Sequence, residues 1–193
     1  MALVDRAQAI LMRPRQEWEV INTEQATVSG LYQSYVGPLA AIGPIAGVIG
    51  ATVFGVTVPV LGTVVRSSIT SLVANAVVSW VLALVGVYIL AWIVDYLAPT
   101  FGGTKDRMQA FKLAAYSGTA TWLAGIFQLI PALSILSILG RYSAYLLYTG
   151  IPPLMKVPQE RALGYIVGIV IAYIVIAIVV GIVAGALVAA VAF

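Results

Sequence analysis

Hydrophobic and polar positions separate along this chain on the scale of whole segments rather than single turns. Five stretches carry almost no charge: Ser34–Val58, Ile69–Val94, Phe111–Ile130, Ala132–Ile151 and Ala162–Phe193. A helix needs about 20 apolar residues to cross the hydrocarbon core, so each stretch is long enough. In lipid the backbone must satisfy its own hydrogen bonds, which makes helix the expected conformation. The third and fourth stretches are separated only by Pro131 and must turn back on each other as a hairpin. The pattern predicts an all-α membrane protein with five transmembrane helices and an N-terminal amphipathic interfacial helix.

Residues 1–33 form the polar remainder, read as a cytoplasmic amphipathic segment ahead of a five-helix membrane domain over 34–193. Val4, Ala7, Ile10, Leu11, Trp18 and Ile21 recur at helical spacing with charges between them. Pro14 interrupts the pattern, because proline suits the first turn of a helix and disrupts its interior. A short helix to about Arg13 and a second from Pro14 toward Glu24 follow. Trp18 and the flanking arginines suit a helix lying in the membrane interface. Packing of the same face on the chain's own bundle is the alternative.

Charge sets the orientation. Arg6, Arg13 and Arg15 precede the first stretch, Lys105, Arg107 and Lys112 surround the second connection, and Lys156 and Arg161 lie in the fourth. The first connection has only Arg66. Basic residues in short loops stay on the cytoplasmic side, which predicts a cytoplasmic N-terminus and an external C-terminus. Asp95 and Lys112 fall at similar depth on neighbouring helices and are expected to pair.

Composition removes whole classes of function. The chain is 62% hydrophobic and 9% charged, whereas soluble domains carry about 25% charged residues. It has no Cys and no His, which removes disulfides, thiol nucleophiles, imidazole bases and nearly all zinc chemistry. Its seven carboxylates are too scattered to suggest a metal site. No early apolar segment reads as a signal peptide. No clustered basic face suggests nucleic acid as a partner.

Candidate chemistry is confined to a few polar residues inside the apolar stretches. Arg141 lies about 15 Å into the fourth stretch, counted from Ala132 at the rise of a helix. Ser134, Ser137, Arg141, Tyr145 and Tyr148 share one helical face, and Ser71, Asn75 and Ser79 form a stripe on the second stretch. An arginine at that depth normally faces the bundle interior or a wet cavity. Three readings stay open: a solute or lipid-headgroup contact with Asn75, Ser79, Ser137 and Tyr145, a structural arginine satisfied within the bundle, and a shifted span with the arginine snorkelling outward. Gly43 with Gly47, and Gly181 with Gly185 and Ala189, have the spacing that lets helix backbones approach closely. Packing within the chain is the simpler use of these faces, and a homo-oligomer contact the other.

Three stretches resemble the Yip family of membrane proteins, specifically its short bacterial members: ILMRPRQEWEVINTE at 10–24, SYVGPLAAIG at 34–43, and LAAYSGTATWLAGIFQLIPALSILSILGRYSAYLLYTGIPPLMKVPQERALGY at 113–165. The resemblance marks Pro14, Trp18, Tyr35, Gly37, Pro38, Tyr116, Pro131 and Pro152 as motif positions. The proline that often follows the tyrosine of the third span is missing, since Tyr116 is followed by Ser117, Gly118, Thr119 and Ala120. The acidic, proline-rich tail of eukaryotic members, which are associated with Rab-type GTPases and early secretory traffic, is missing too. The resemblance therefore implies a fold and a membrane location, and the trafficking role does not carry over.

Two functions compete: a non-enzymatic multi-pass protein organising membrane or partner proteins, and a transporter or channel for a small solute using a path around Arg141. Five spans do not divide into two equal repeats of the transporter kind. No acid–base pair or nucleophile constellation can be assembled for an enzyme. The lipid bilayer, other membrane proteins and further copies of the chain are the expected partners, and no cofactor is expected.

Overall fold

The computed structural model describes residues 2–58, 63–65 and 68–191, with the side chains of 56–58, 63–65, 131, 177 and 180–191 left out of account. The chain opens with α1 (Leu3–Met12) and α2 (Pro14–Thr23), and Pro14 takes the first position of α2. A short α3 (Val28–Leu31) leads through a π-helical turn, Tyr32–Val36, into α4 (Gly37–Phe54). Gly55, at φ +77°, ends that helix. The first apolar stretch therefore stops being helical before Val58. Strands β1 (Val56–Val58) and β2 (Thr63–Val65) follow as an antiparallel hairpin pairing Val56 with Val65. Arg66 lies outside the described residues.

The long helix α5 (Ile69–Leu97) starts at Ser68, whose hydroxyl accepts from the Ser71 N–H at 3.2 Å. A 3-10 turn, Ala98–Phe101, ends at Gly102 in the left-handed region. Asp106 caps α6 (Arg107–Ser117), its carboxylate accepting from the N–H groups of Met108 and Gln109 at 3.0 Å each. A short α7 (Thr119–Ala124) and two 3-10 segments, Gly125–Leu129 and Pro131–Arg141, lead to α8 (Tyr142–Met155). The last described element is α9 (Gln159–Val191).

Three helices, Val28–Phe54, Ile69–Phe101 and Gln159–Ile176, are long and apolar enough to cross a membrane among the described residues. This corrects the expectation of five such helices. The third and fourth apolar stretches form a hairpin of broken helix instead. In its first arm Ser117 Oγ and Thr119 Oγ1 donate to the carbonyls of Ala114 and Tyr116, at 3.2 and 2.6 Å. Such side-chain bonds compete with the helical ladder. Proline at 131 then starts a 3-10 segment, whose i to i+3 bonding is tighter and poorer than an α-helix.

The hairpin nevertheless runs deep along α4. Its first arm meets the first span at the Tyr35–Thr119 hydroxyl contact of 2.7 Å, then at Gly43 against Gly125, then at Gly50 beside the carbonyls of Gln128 and Leu129. From Tyr35 to Gly50 is about 22 Å along a helix axis. The central contact is backbone on backbone, since a Cβ on Gly125 would stand 2.7 Å from the Gly43 Cα. The Gly43–Gly47 face is thus used within the chain, as the simpler reading of its spacing had it. The side chains around Gly181, Gly185 and Ala189 lie outside the described residues.

Three aromatic donors join the remaining helices by bonding main-chain carbonyls. Trp80 Nε1 donates to Gly37 O at 2.9 Å, Tyr32 to Leu84 O at 2.7 Å, and Tyr165 to Val94 O. Each bond satisfies a polar tip that would otherwise be stranded in an apolar setting. The core they enclose includes Leu39, Val94, Leu113, Leu146, Ile151 and Ile169, all nearly or fully buried.

Gly125→Val should lower the stability of the protein in detergent by about 1–3 kcal/mol, the usual effect of overpacking a tight contact. Gly164→Ala is the control, because its Cβ would meet only the Phe101 ring, at 3.4 and 3.9 Å. That variant should unfold at the parent temperature or above it, alanine being the better helix former.

Candidate functional site

The motif stretches at 10–24 and 34–43 meet the distant stretch at 113–165 at one end of the bundle. In α1 the positions Leu3, Arg6, Ala7 and Ile10 share a face, and in α2 Pro14, Glu17, Trp18 and Ile21 do. Each face is apolar apart from one charged residue, Arg6 in α1 and Glu17 in α2, and the fold turns the two faces inward together. Arg6 Nη1 donates to Glu17 Oε1 and Nη2 to Glu24 Oε1. The Arg6 and Glu17 side chains are only 6% and 9% exposed, while Glu24 is 38% exposed. Burial opposes the arginine's charge, but the hydrogen bond and field of Glu24, with Tyr116 and Glu17, outweigh it and hold its pKa above the ordinary value.

Beneath the ion pairs lies a nest of aromatic rings. The Arg6 guanidinium carbon stands 5.7 Å from the Tyr116 ring centroid, within cation–π range. Tyr116 meets Tyr35 at 4.7 Å and Trp18 at 6.4 Å, both edge to face. Trp18 is fully buried and its Nε1 donates to Thr149 Oγ1 at 3.1 Å. Gly150 makes room for the indole, since a Cβ there would meet Trp18 Cε2 at 2.6 Å.

Of the two uses of the α1–α2 face, packing on the bundle is the one this fold supports: Ala7, Ile10, Trp18 and Ile21 are buried there and Val4 stays exposed. Trp18 finds both an apolar seat and a hydrogen-bond acceptor in the bundle. The last carbonyls of a helix lack internal partners, and side chains of the bundle supply them. Lys112 Nζ donates to Ile21 O at 2.9 Å and Glu24 O at 2.5 Å, Gln109 Nε2 to Asn22 O at 3.0 Å, and Tyr142 to Leu11 O at 3.1 Å. A buried cation is well placed at the negative end of a helix.

The expected Asp95–Lys112 pair is replaced by this arrangement. Asp95 Oδ2 instead lies 4.0 Å from Arg107 Nε, and Asp95 Oδ1 is buried without a hydrogen-bond partner among the described residues.

Of the motif positions, Pro14, Trp18, Tyr35 and Tyr116 converge in the cluster. Gly37 and Pro38 open α4 above it, with the Gly37 carbonyl held by Trp80. Pro131 starts the second arm of the hairpin, and Pro152 lies inside α8, where its carbonyl accepts from the Lys156 N–H at 3.1 Å. The polar residues proposed for a solute path do not converge. Arg141, Asn75, Ser79, Ser137 and Tyr145 are all exposed on the outside of the chain. Asn75 and Ser79 ride on α5, which packs on α4, α6 and α9, whereas Ser137 and Arg141 ride on the hairpin's outer arm, which packs on its inner arm. Tyr145 packs at a tilt against its neighbour Tyr142, ring centroids 5.2 Å apart.

Long apolar helices, a deep broken hairpin and a polar N-terminal cap seated on an ion-paired aromatic nest define a multi-pass helical membrane protein. The Yip1 domain model matches residues 9–192, and the chain belongs to that family. It is 27% identical over 160 residues to the inner membrane protein YohC of Escherichia coli (strain K12), covering 81% of this chain and 82% of that protein. YohC of Escherichia coli O6:H1 gives the same figures. No solved structure gives a significant match.

Removing one partner of a buried ion pair strands the other charge. Arg6→Leu should therefore cost about 3–5 kcal/mol of stability. The double variant Arg6→Leu/Glu17→Leu should recover part of that loss, because no buried carboxylate is then left at 17. Thermal unfolding of the single and double variants in detergent measures both effects.

Proposed function

We propose that the protein is a non-enzymatic, multi-pass inner-membrane protein that organises other membrane components, with its N-terminus in the cytoplasm and its C-terminus outside. The observation that carries this reading is the state of the motif cluster. Its ionisable groups are engaged with one another and with helix ends, which suits a device that holds a cap in place rather than one that acts on a substrate. The family and the name of the E. coli relative support the membrane.

Orientation follows from the basic residues, and it survives the change from five continuous spans to three. A hairpin adds either no crossing or two, so the ends lie on opposite sides in both cases. We assign it two, as broken third and fourth crossings, because it follows α4 over about 22 Å. Partners would be met along the exposed apolar faces of α5 and α9, where Val78, Leu82, Ile174 and Ile178 point outward. Copies of the chain would be met through Gly181, Gly185 and Ala189.

The separation of Arg141 from Asn75 and Ser79 speaks against a transport path within one chain, an oligomer could still build one, and proteoliposomes test for it. Ion and small-solute flux should equal that of protein-free vesicles, and a saturable flux would overturn the organising role. Independently, an alkaline phosphatase fused after Phe193 should be active and a green fluorescent protein there dark. The reverse pair would contradict the orientation.

A further inference from the structure

A cleft of about 670 Å³ opens beside the cluster, between α1, the link at residues 24–27, the π-helical turn and α6. Arg6, Glu24, Thr27, Ser34, Tyr35 and Tyr116 are among its walls. We propose that it binds a zwitterion of the phosphoethanolamine type, the headgroup of a phospholipid in the cytoplasmic leaflet.

Charge complementarity carries the assignment. A guanidinium has five N–H donors in a fixed fork. Arg6 directs one bond to Glu17 and one to Glu24, so donors remain for phosphate oxygens. Glu24 gives one carboxylate oxygen to Arg6, and its side chain is 38% exposed, so the other oxygen can accept from an ammonium. A purely anionic group would face Glu17 and Glu24 as well as Arg6. A purely cationic group would face Arg6. A zwitterion meets an opposite charge at each end.

Position agrees with the chemistry. The cleft lies where the polar cap joins the first long apolar helix, which begins at Val28. On the orientation proposed above, that is the level of the cytoplasmic headgroups. The π-helical turn sets Tyr35 between Thr119 and Tyr116 at the cleft wall, and turns of this kind recur at functional sites. The cap thus carries a recognition element at the depth where an organiser meets lipid.

Native mass spectrometry of the full chain in detergent tests the site, with phosphatidylethanolamine and phosphatidylglycerol supplied in competition. The parent should retain phosphatidylethanolamine about tenfold better, a difference of about 1.4 kcal/mol. Glu24→Gln should abolish that preference, since the charge that accepts the ammonium is gone while Arg6 keeps Glu17. Ser34→Trp changes an exposed rim residue and fills the cleft without touching the ion pairs, so it should lose retention of phosphatidylethanolamine altogether. Equal retention of the two lipids by the parent, or retention unchanged in Ser34→Trp, would overturn the proposal. Soluble O-phosphoethanolamine separates the sources of the ligand: failure to compete supports the lipid headgroup, and binding of the soluble compound without the lipid overturns it. Because binding is read in detergent, a reversed orientation or a measured flux leaves this result unaffected.

Discussion

An arginine and a glutamate buried against each other constrain everything at the N-terminal end of this protein. Either charge alone in an apolar setting would be strongly unfavourable, so Arg6 and Glu17 are tolerated only while α1 and α2 stay folded face to face. That pairing fixes the angle at Pro14 and brings Trp18 to its seat in α8. With α2 in place, its final carbonyls lie within reach of Lys112 and Gln109, and these bonds set the height of α6. One buried pair therefore connects the polar cap to the apolar bundle.

The bundle has its own constraint, the contact of Gly43 with Gly125. No hydrophobic force draws helices together in lipid, so close backbone approach and dispersion must do it. The glycine pair lets the broken hairpin lie flat along α4, and the aromatic donors Tyr32, Trp80 and Tyr165 then join α4 to α5 and α5 to α9. Arg141, Asn75 and Ser79 are exposed on the outer faces of the hairpin and of α5. A structural cluster at one end and a largely apolar exterior elsewhere suit a protein that acts by position and contact.

Segment-scale hydropathy made the membrane class and the long helices legible, because length and lack of charge suffice to mark a span. The break at Pro14 was equally legible from proline chemistry. The broken hairpin was not, since Phe111–Ile130 and Ala132–Ile151 are apolar enough for spans. Whether Ser117, Thr119 and Gly125 disturb the ladder depends on what they touch. Nor was the strand pair after Gly55, where the valines suit helix in lipid as well as strand. The cluster has a readable trace in the sequence. Arg6 falls in the stripe of Leu3, Ala7 and Ile10, and Glu17 in that of Pro14, Trp18 and Ile21. Complementary charges set into two consecutive apolar stripes mark faces that bury together. The place of Arg141 was not legible, because depth counted along an ideal helix does not apply to the 3-10 segment that carries it.

The central claim is that the cap is locked onto the bundle and does not lie free in the interface. Amide hydrogen exchange of the full chain in lipid nanodiscs measures this directly, because protection reports the free energy of local opening. The amides of Trp18 to Ile21 should exchange as slowly as those of Phe111 to Ala115 in α6, with which they share the core. Rapid exchange in α2 alongside slow exchange in α6 would contradict the account and return α1 and α2 to the membrane surface.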